Sequence, residues 1–178
     1  VSNELLIRHK LSVGQIEFSL YESDVKDLIA WQLDSAGFTK PTNISNASIK
    51  GAEVTLSAKT GDFSHQLALA YVDAKDVEQN IALARRPQVS GSYSLAYQWD
   101  KLSLSGSATY RDDSIDLPST TPDVLASYWL VDVSANYQVT NQLSIVAKLN
   151  NLLDEEYQTA SRYVADGTNY VVSVSYSF

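Results

Sequence analysis

The chain has 178 residues, a formal net charge of −8, no cysteine and no methionine. The length suits roughly one domain; the missing cysteines exclude a disulfide framework and any cysteine-based metal site, and the acidic balance argues against a nucleic-acid surface, which needs clustered Lys and Arg. No run approaches the roughly eighteen apolar residues of a transmembrane helix, and no signal peptide opens the chain. Neither fact excludes a membrane, because a β-barrel wall carries its apolar surface at alternate positions and keeps average hydropathy modest.

With no Met at position 1 and the strand-like "NELLIRHK" close behind it, the expectation is a fragment or processed product of a longer chain. A short turn follows at Leu11–Gly14, and the polar stretch Ser23–Ser45 reads as a long loop. In "IKGAEVTLSA", Ala52, Val54, Leu56 and Ala58 form an apolar set, with Gly51 and Glu53 on the opposite face. A short turn at Thr60–Asp62 and a long polar segment at Asp73–Arg86 come next. "VSGSYSLAYQW" then sets Val89, Gly91, Tyr93, Leu95, Tyr97 and Trp99 against Ser90, Ser92, Ser94, Ala96 and Gln98.

Past a turn at Asp100–Lys101, Leu102, Leu104, Gly106, Ala108 and Tyr110 alternate with serines and Thr109, up to a long segment at Arg111–Ala126. "SYWLVDVSANYQV" places Trp129, Val131, Val133, Ala135, Tyr137 and Val139 on one face. After Thr140–Gln142, Leu143, Ile145, Ala147 and Leu149 alternate with Ser144, Lys148 and Asn150. The segment Asp154–Thr168 is again long and polar, and the final strand sets Tyr170, Val172, Val174, Tyr176 and Phe178 against Val171 and three serines. Period two with many β-branched and aromatic residues is the strand signal. The chain reads as all-β, an antiparallel up-and-down meander of about nine strands, each near the ~9–11 residues of a tilted membrane strand. Short and long connections alternate strictly, as they do in outer-membrane barrels.

Periodicity alone leaves open which face is outside. A small, hydroxyl-rich polar face suits a wet lumen better than a solvated exterior. Trp99, Tyr97, Tyr137, Tyr176 and Phe178 gather at the short-turn end, and Tyr71, Tyr110, Trp129 and Tyr170 nearer the long-loop end, as two interfacial girdles would. Two other readings stand beside this one: a soluble, lipocalin-like calyx for a small apolar ligand, and a small independent outer-membrane barrel. With nine antiparallel strands the first and last run in the same direction and cannot pair to close a barrel. The expected form is an open sheet whose edges, near Leu5–His9 and Tyr170–Phe178, need a partner.

Catalysis finds little support, and the chain is not expected to be an enzyme. His9 and His65 both lie in strand patterns beside apolar residues, without a nucleophile motif. "RDDSID" spaces Asp112, Ser114 and Asp116 at alternate positions, but lacks the Gly and distal Glu of a calcium loop and reads as a solvated surface loop, as does "DAKDVE". No metal site or cofactor is expected in this segment. No phosphate loop, HExxH or GxSxG occurs. Pro87 biases Arg86 towards extended backbone, so Arg85 and Arg86 should project in opposite directions. The plain reading of both arginines is as solvated loop charges that balance Asp73, Asp76 and Glu78.

Two motifs carry a family resemblance. Ser161–Phe178 resembles the C-terminal box of TonB-dependent outer-membrane receptors, and "NNLLDEEYQ" is similar to their "N-L-F-D-x-x-Y" signature, with Leu153 in place of Phe. "SDVKDLI", "ASIKGAEVT", "YVDA" and "LARRPQ" resemble, in order, segments of the family's vitamin B12 (cobalamin) receptors. The resemblance implies a plugged barrel of about 22 strands in the bacterial outer membrane, with residues 1–178 its C-terminal barrel segment and the plug, TonB box and calcium sites upstream. It implies uptake of cobalamin, or of another ligand such as a siderophore, driven by TonB–ExbB–ExbD, and surroundings of lipopolysaccharide and outer-membrane lipid. It also implies that Tyr170, Val172, Val174, Tyr176 and Phe178 are read by the barrel assembly machinery. Arg85 matches an arginine that contacts cobalamin, whereas no tyrosine in 112–126 matches a further expected contact.

Overall fold

Alternation in the sequence becomes extended backbone throughout. The computed structural model describes residues 1–116 and 123–178, and the described residues contain no helix. Four long strands, β1 (Ser2–Leu11), β2 (Gly14–Leu33), β3 (Thr39–Thr60) and β4 (Phe63–Asp76), lead to the short β5 (Ile81–Ala82). Then come β6 (Val89–Trp99), β7 (Leu102–Arg111), the short β8 (Ser114–Ile115) and β9 (Val124–Leu125), β10 (Tyr128–Gln138) and β11 (Leu143–Asn150). The short β12 (Gln158–Ala160) and β13 (Tyr163–Val164) precede the last strand, β14 (Asn169–Tyr176). The main sheet runs β1-β2-β3-β4-β6-β7-β10-β11-β14 with β5 added to β4, while β8–β9 and β12–β13 form two-stranded ribbons. Every long strand pairs antiparallel with its neighbour in this order, which is the expected meander.

Register keeps the two faces separate from edge to edge. Ile7, Phe18, Val54, Leu69, Gly91, Tyr110 and Trp129 lie opposite one another across seven strands. One residue along, Arg8, Glu17, Thr55, Ala68, Ser92, Thr109 and Leu130 form the matching row on the other face. A slip of one residue in any ladder would exchange these sets, so the pattern fixes the pairing. Polar neighbours on the second face bond to each other: Arg8 Nε donates to Glu17 Oε1 at 2.8 Å, and the Ser105 and Ser134 hydroxyls are 2.7 Å apart.

The apolar face is a band with sharp limits. Beyond Leu20, Ala52 and Tyr71 the same face continues as Glu22, Lys50 and Asp73, and Lys50 Nζ lies 2.6 Å from Glu22 Oε1. Aromatic pairs mark both limits. Tyr110 and Trp129 have ring centroids 4.9 Å apart towards the long loops, and Phe63–Tyr97 (4.7 Å) and Tyr176–Phe178 (5.1 Å) do so towards the short turns. The strand β6, with 11 residues, covers about 34 Å along its axis and about 26 Å vertically at a barrel-like tilt of about 40°. That height matches the apolar band of a membrane barrel. No described helix is long and apolar enough to cross a membrane, which does not bear on crossing by strands.

Little of the sheet is buried by the chain itself. Its accessible surface is 12080 Å² for 19.6 kDa, against about 8,600 Å² for a compact monomer of that mass. Among described residues only Ala47, Ala74, Leu83, Leu125 and Tyr128 are buried apolar side chains. All ten residues of β1 are exposed, and β1 and β14 each have one partner strand. The open sheet with two unpaired edges is thus what the odd strand count anticipates.

Strand length departs from expectation at the long-loop end. The stretch Ser23–Ser45, read as a loop, is mostly ladder: β2 has 20 residues and β3 has 22, still in register from Leu28–Ile44 to Leu33–Thr39. Outside hydrocarbon a hairpin can be polar on both faces and still satisfy its backbone, so loss of alternation there does not end the strand. Similarly Asp73–Asp76 remains in β4, and the segments 111–126 and 154–168 contain the short ribbons. Of the first of these, residues 117–122 lie outside the described residues.

The facing of β10 makes a direct expectation. In the intact protein folded into bilayers, Val133→Arg should cost about 2–4 kcal/mol at the midplane, and Ser134→Arg much less. Equal costs in equilibrium unfolding would contradict the assignment of faces.

Candidate ligand-binding end of the sheet

The long connections converge at one end of the sheet, and three of them meet at a single carboxylate. Asp116 follows β8 and is 5% exposed. One of its oxygens accepts a hydrogen bond from Arg85 Nε, and the other accepts the Ser161 N–H at 3.1 Å. Backbone bonds reinforce the junction: Arg85 N–H donates to Ile115 C=O (2.7 Å) and Asp116 N–H to Asp123 C=O (2.9 Å). Ser161 Oγ donates to Asp123 Oδ2 at 3.0 Å. Arg85 itself has φ +55°, the left-handed region disfavoured for a side chain with Cβ.

Arg85 pairs with Asp116 rather than balancing Asp73, Asp76 and Glu78. Asp73 instead receives Lys75 Nζ at 3.0 Å, and Asp76 accepts the N–H groups of Glu78 (2.8 Å) and Gln79 (3.1 Å). "DAKDVE" is therefore not a solvated loop but the end of β4 and the start of a turn capped by Asp76, which is almost wholly buried. Below it Leu83 closes over Ala47 and Ala74, with Val25, Leu28, Ile49 and Val72 around them. This small apolar cluster pins the Asp73–Arg86 connection to β3 and β4.

The "NNLLDEEYQ" motif is a second organiser. Asn151 is 4% exposed, with φ +49°, a conformation Asn tolerates better than most residues. Its N–H donates to Asp132 Oδ1 (2.8 Å), and its side chain both donates to Glu155 C=O and accepts Glu155 N–H, each at 2.9 Å. Its carbonyl accepts Thr168 Oγ1 at 2.7 Å, and Asp154 Oδ1 accepts Thr168 N–H at 2.8 Å. Tyr157 stacks on Tyr128 with centroids 4.6 Å apart. The spacing of Asn151, Asp154 and Tyr157 thus makes a turn that starts the last long connection and returns it to β14.

At the tip of the β2–β3 hairpin, Asp34 Oδ1 accepts the N–H groups of Ala36 and Phe38, both at 3.0 Å, and Lys40 Nζ lies 3.9 Å from Oδ2. These donors, Phe38 N–H foremost, hold the Asp34 carboxyl below its ordinary value. Gly37 supplies the φ of +81° the turn needs. The string "DSAGF" was the available signal for a tight turn inside the supposed loop.

The remaining candidates lie elsewhere. His65 is held between the Thr60 and Tyr93 hydroxyls, each 2.8 Å from a ring nitrogen, and His9 is paired with Ile16 in the ladder. In "RDDSID", Asp112 accepts Tyr110 OH at 3.0 Å while Asp116 binds Arg85. Among the described residues no group of three or more His, Cys, Asp or Glu could hold a metal ion. Tyr170, Val172, Val174, Tyr176 and Phe178 are all exposed on or just past β14, and none takes part in the junction at Asp116.

Comparison with known proteins places these features. Residues 4–152 match the family model described as TonB dependent receptor-like, beta-barrel. A vitamin B12 transporter BtuB from Vibrio vulnificus is 35% identical over 99% of this chain, and one from Photobacterium profundum is 33% identical over 89%. The chain spans 29% and 27% of the lengths of these two relatives. Among solved structures, the siderophore receptor PirA from Acinetobacter baumannii superposes with a TM-score of 0.83 at 19% identity, covering 99% of this chain and 31% of that one. The copper transporter OprC gives 0.82 at 21%, covering 99% and 30%. These structural likenesses establish the shared barrel fold.

The hairpin tip supplies a pH test. Asp34 should titrate below the usual Asp value of about 3.9, so its contribution to the tip is complete above that value and is lost as pH falls through the lower folded one. Amide chemical shifts of Ala36 and Phe38 followed against pH should show this low midpoint, and Asp34→Asn should abolish it. A midpoint at or above the unperturbed value would contradict the turn.

Proposed function

This chain belongs to the TonB-dependent receptor β-barrel family of the outer membrane, and we propose that it is the C-terminal barrel segment of a vitamin B12 (cobalamin) transporter. The observation that carries the ligand is the 35% identity with a vitamin B12 transporter over an alignment that covers 99% of the chain. In this reading the nine long strands are the closing part of a barrel of about 22 strands. A plug and the remaining strands precede them, and TonB, ExbB and ExbD supply the energy for uptake. The two unpaired edges support this, because an edge of β1 or β14 inside a bilayer needs another strand to satisfy its backbone.

Each region has a part in this proposal. The apolar band faces outer-membrane lipid and, beyond the charged row at Lys50, lipopolysaccharide. The exposed alternate residues Tyr170, Val172, Val174, Tyr176 and Phe178 serve as the signal for the barrel assembly machinery. Calcium sites, where the receptor has them, belong to upstream loops. Arg85 contacts cobalamin: a guanidinium has five donors in a fixed plane, suited to the amide carbonyls and phosphate that cobalamin carries. The ion pair with Asp116 engages Nε and leaves the side chain 53% exposed, so contact with a ligand is compatible with the pairing.

Arg85→Ala in the full-length receptor should weaken cyanocobalamin binding by about 1.5–3 kcal/mol, the worth of hydrogen bonds from a charged group, and Arg86→Ala should do much less. Isothermal titration on purified receptor measures both. Unchanged affinity for Arg85→Ala would remove that residue from the site. Absence of cobalamin binding by the unaltered receptor, with binding of a ferric siderophore in its place, would replace the ligand.

A further inference from the structure

We infer that Asp116 is a positioning residue for ligand capture: one buried carboxylate fastens three loops together and holds Arg85 in its half-exposed pose. The ligand half of this inference rests on the cobalamin reading; the loop half stands on the geometry alone.

A carboxylate on a surface loop is ordinarily wet, and burying one is unfavourable unless both oxygens find donors. Asp116 is 5% exposed, and its two oxygens bind different loops. Arg85 and Ser161 are 31 and 45 residues away in sequence. Three connections are therefore tied at one point: the stretch from β5 to β6 through Arg85, the β8–β9 ribbon through Asp116 itself, and the β12–β13 turn through Ser161. Asp123, immediately before the strand β9, closes the set by accepting a hydrogen bond from Ser161 Oγ at 3.0 Å.

Arg85 shows that the tie acts on conformation as well as on contact. Its φ of +55° is a strained choice for arginine and persists where neighbours over-determine it. Here its N–H is fixed to Ile115 C=O at 2.7 Å and its Nε to Asp116, both on the same ribbon. The pair is also lopsided, with side-chain exposures of 53% for Arg85 and 6% for Asp116. An ion pair open on both sides contributes little; in this one the acid is hidden and the cation still faces water. The result is a guanidinium oriented before a ligand arrives, which reduces the ordering that binding must otherwise supply.

The test uses the full-length receptor in detergent and two readouts, with heat-modifiable gel mobility confirming that each variant forms a folded barrel. The first readout is amide hydrogen exchange without ligand. Asp116→Asn should speed exchange in residues 83–86 and 158–163 by about tenfold or more, while β10 and β11 are unaffected. Ser161→Ala, which keeps the N–H that Asp116 accepts, should leave residues 83–86 unchanged. The second readout is cyanocobalamin affinity in a double-mutant cycle. If Asp116 acts through Arg85, Asp116→Asn weakens binding several-fold, yet the Arg85→Ala, Asp116→Asn pair binds no more weakly than Arg85→Ala alone. Unchanged exchange in Asp116→Asn overturns the clasp, whatever the ligand is. Additive losses overturn positioning through Arg85 and leave only a general support of the loops. A receptor that does not bind cyanocobalamin at all defeats the cobalamin reading, and the exchange readout then decides the clasp by itself.

Discussion

Everything in this molecule follows from the need to hydrogen-bond every backbone N–H and C=O in a medium that offers no water. A strand in hydrocarbon can meet that need only through its neighbours. The continuous antiparallel ladder from β1 to β14 meets it for every strand but the two at its edges. Period two then sorts side chains, and a single register error anywhere would put Arg8, Glu17 or Asp132 into lipid. The apolar rows and the serine rows are thus two consequences of one pairing scheme.

The same constraint relaxes outside the membrane, and the structure changes character there. Ladder pairing continues in β2 and β3, but specific side chains take over the organisation of the connections. Asp34 closes a hairpin tip, Asp76 caps a turn, Asn151 bonds to Asp132, Glu155 and Thr168, and Asp116 joins three loops. Each is a short polar side chain whose oxygen substitutes for a missing ladder partner. A rigid wall carrying loops fixed at a few such points is the arrangement that lets binding residues keep a set geometry.

Much of the wall was legible because its signal is local. Val131, Val133 and Ala135 alternate with Asp132, Ser134 and Asn136, and no tertiary knowledge is needed to call a strand there. The short turns at Gly61 and Asp100 were equally plain. The loop end was less legible for two physical reasons. Residues 23–45 leave the membrane, so the pressure for alternation disappears while hydrogen bonding continues, and composition then suggests a loop where there is a ribbon. The junction at Asp116 depends on residues tens of positions apart, and "RDDSID" reads locally as a solvated run. Arg85 was singled out through family resemblance, whereas its partner could be found only once the loops were placed in space. The signature at Asn151–Tyr157 was recognised as a pattern, and the structure supplies its reason: a turn held from both sides by backbone bonds and the Tyr128–Tyr157 stack.

The central claim is that one face of this sheet meets lipid and the other a lumen, in alternate residues. The native chain has no cysteine, so single cysteines placed at 131 to 136 along β10 in an otherwise cysteine-free receptor can each carry a spin label without ambiguity. With the receptor in bilayers, collision with molecular oxygen, which concentrates in lipid, should be high at 131, 133 and 135 and low at 132, 134 and 136. The reverse phase, or no alternation, would contradict the account.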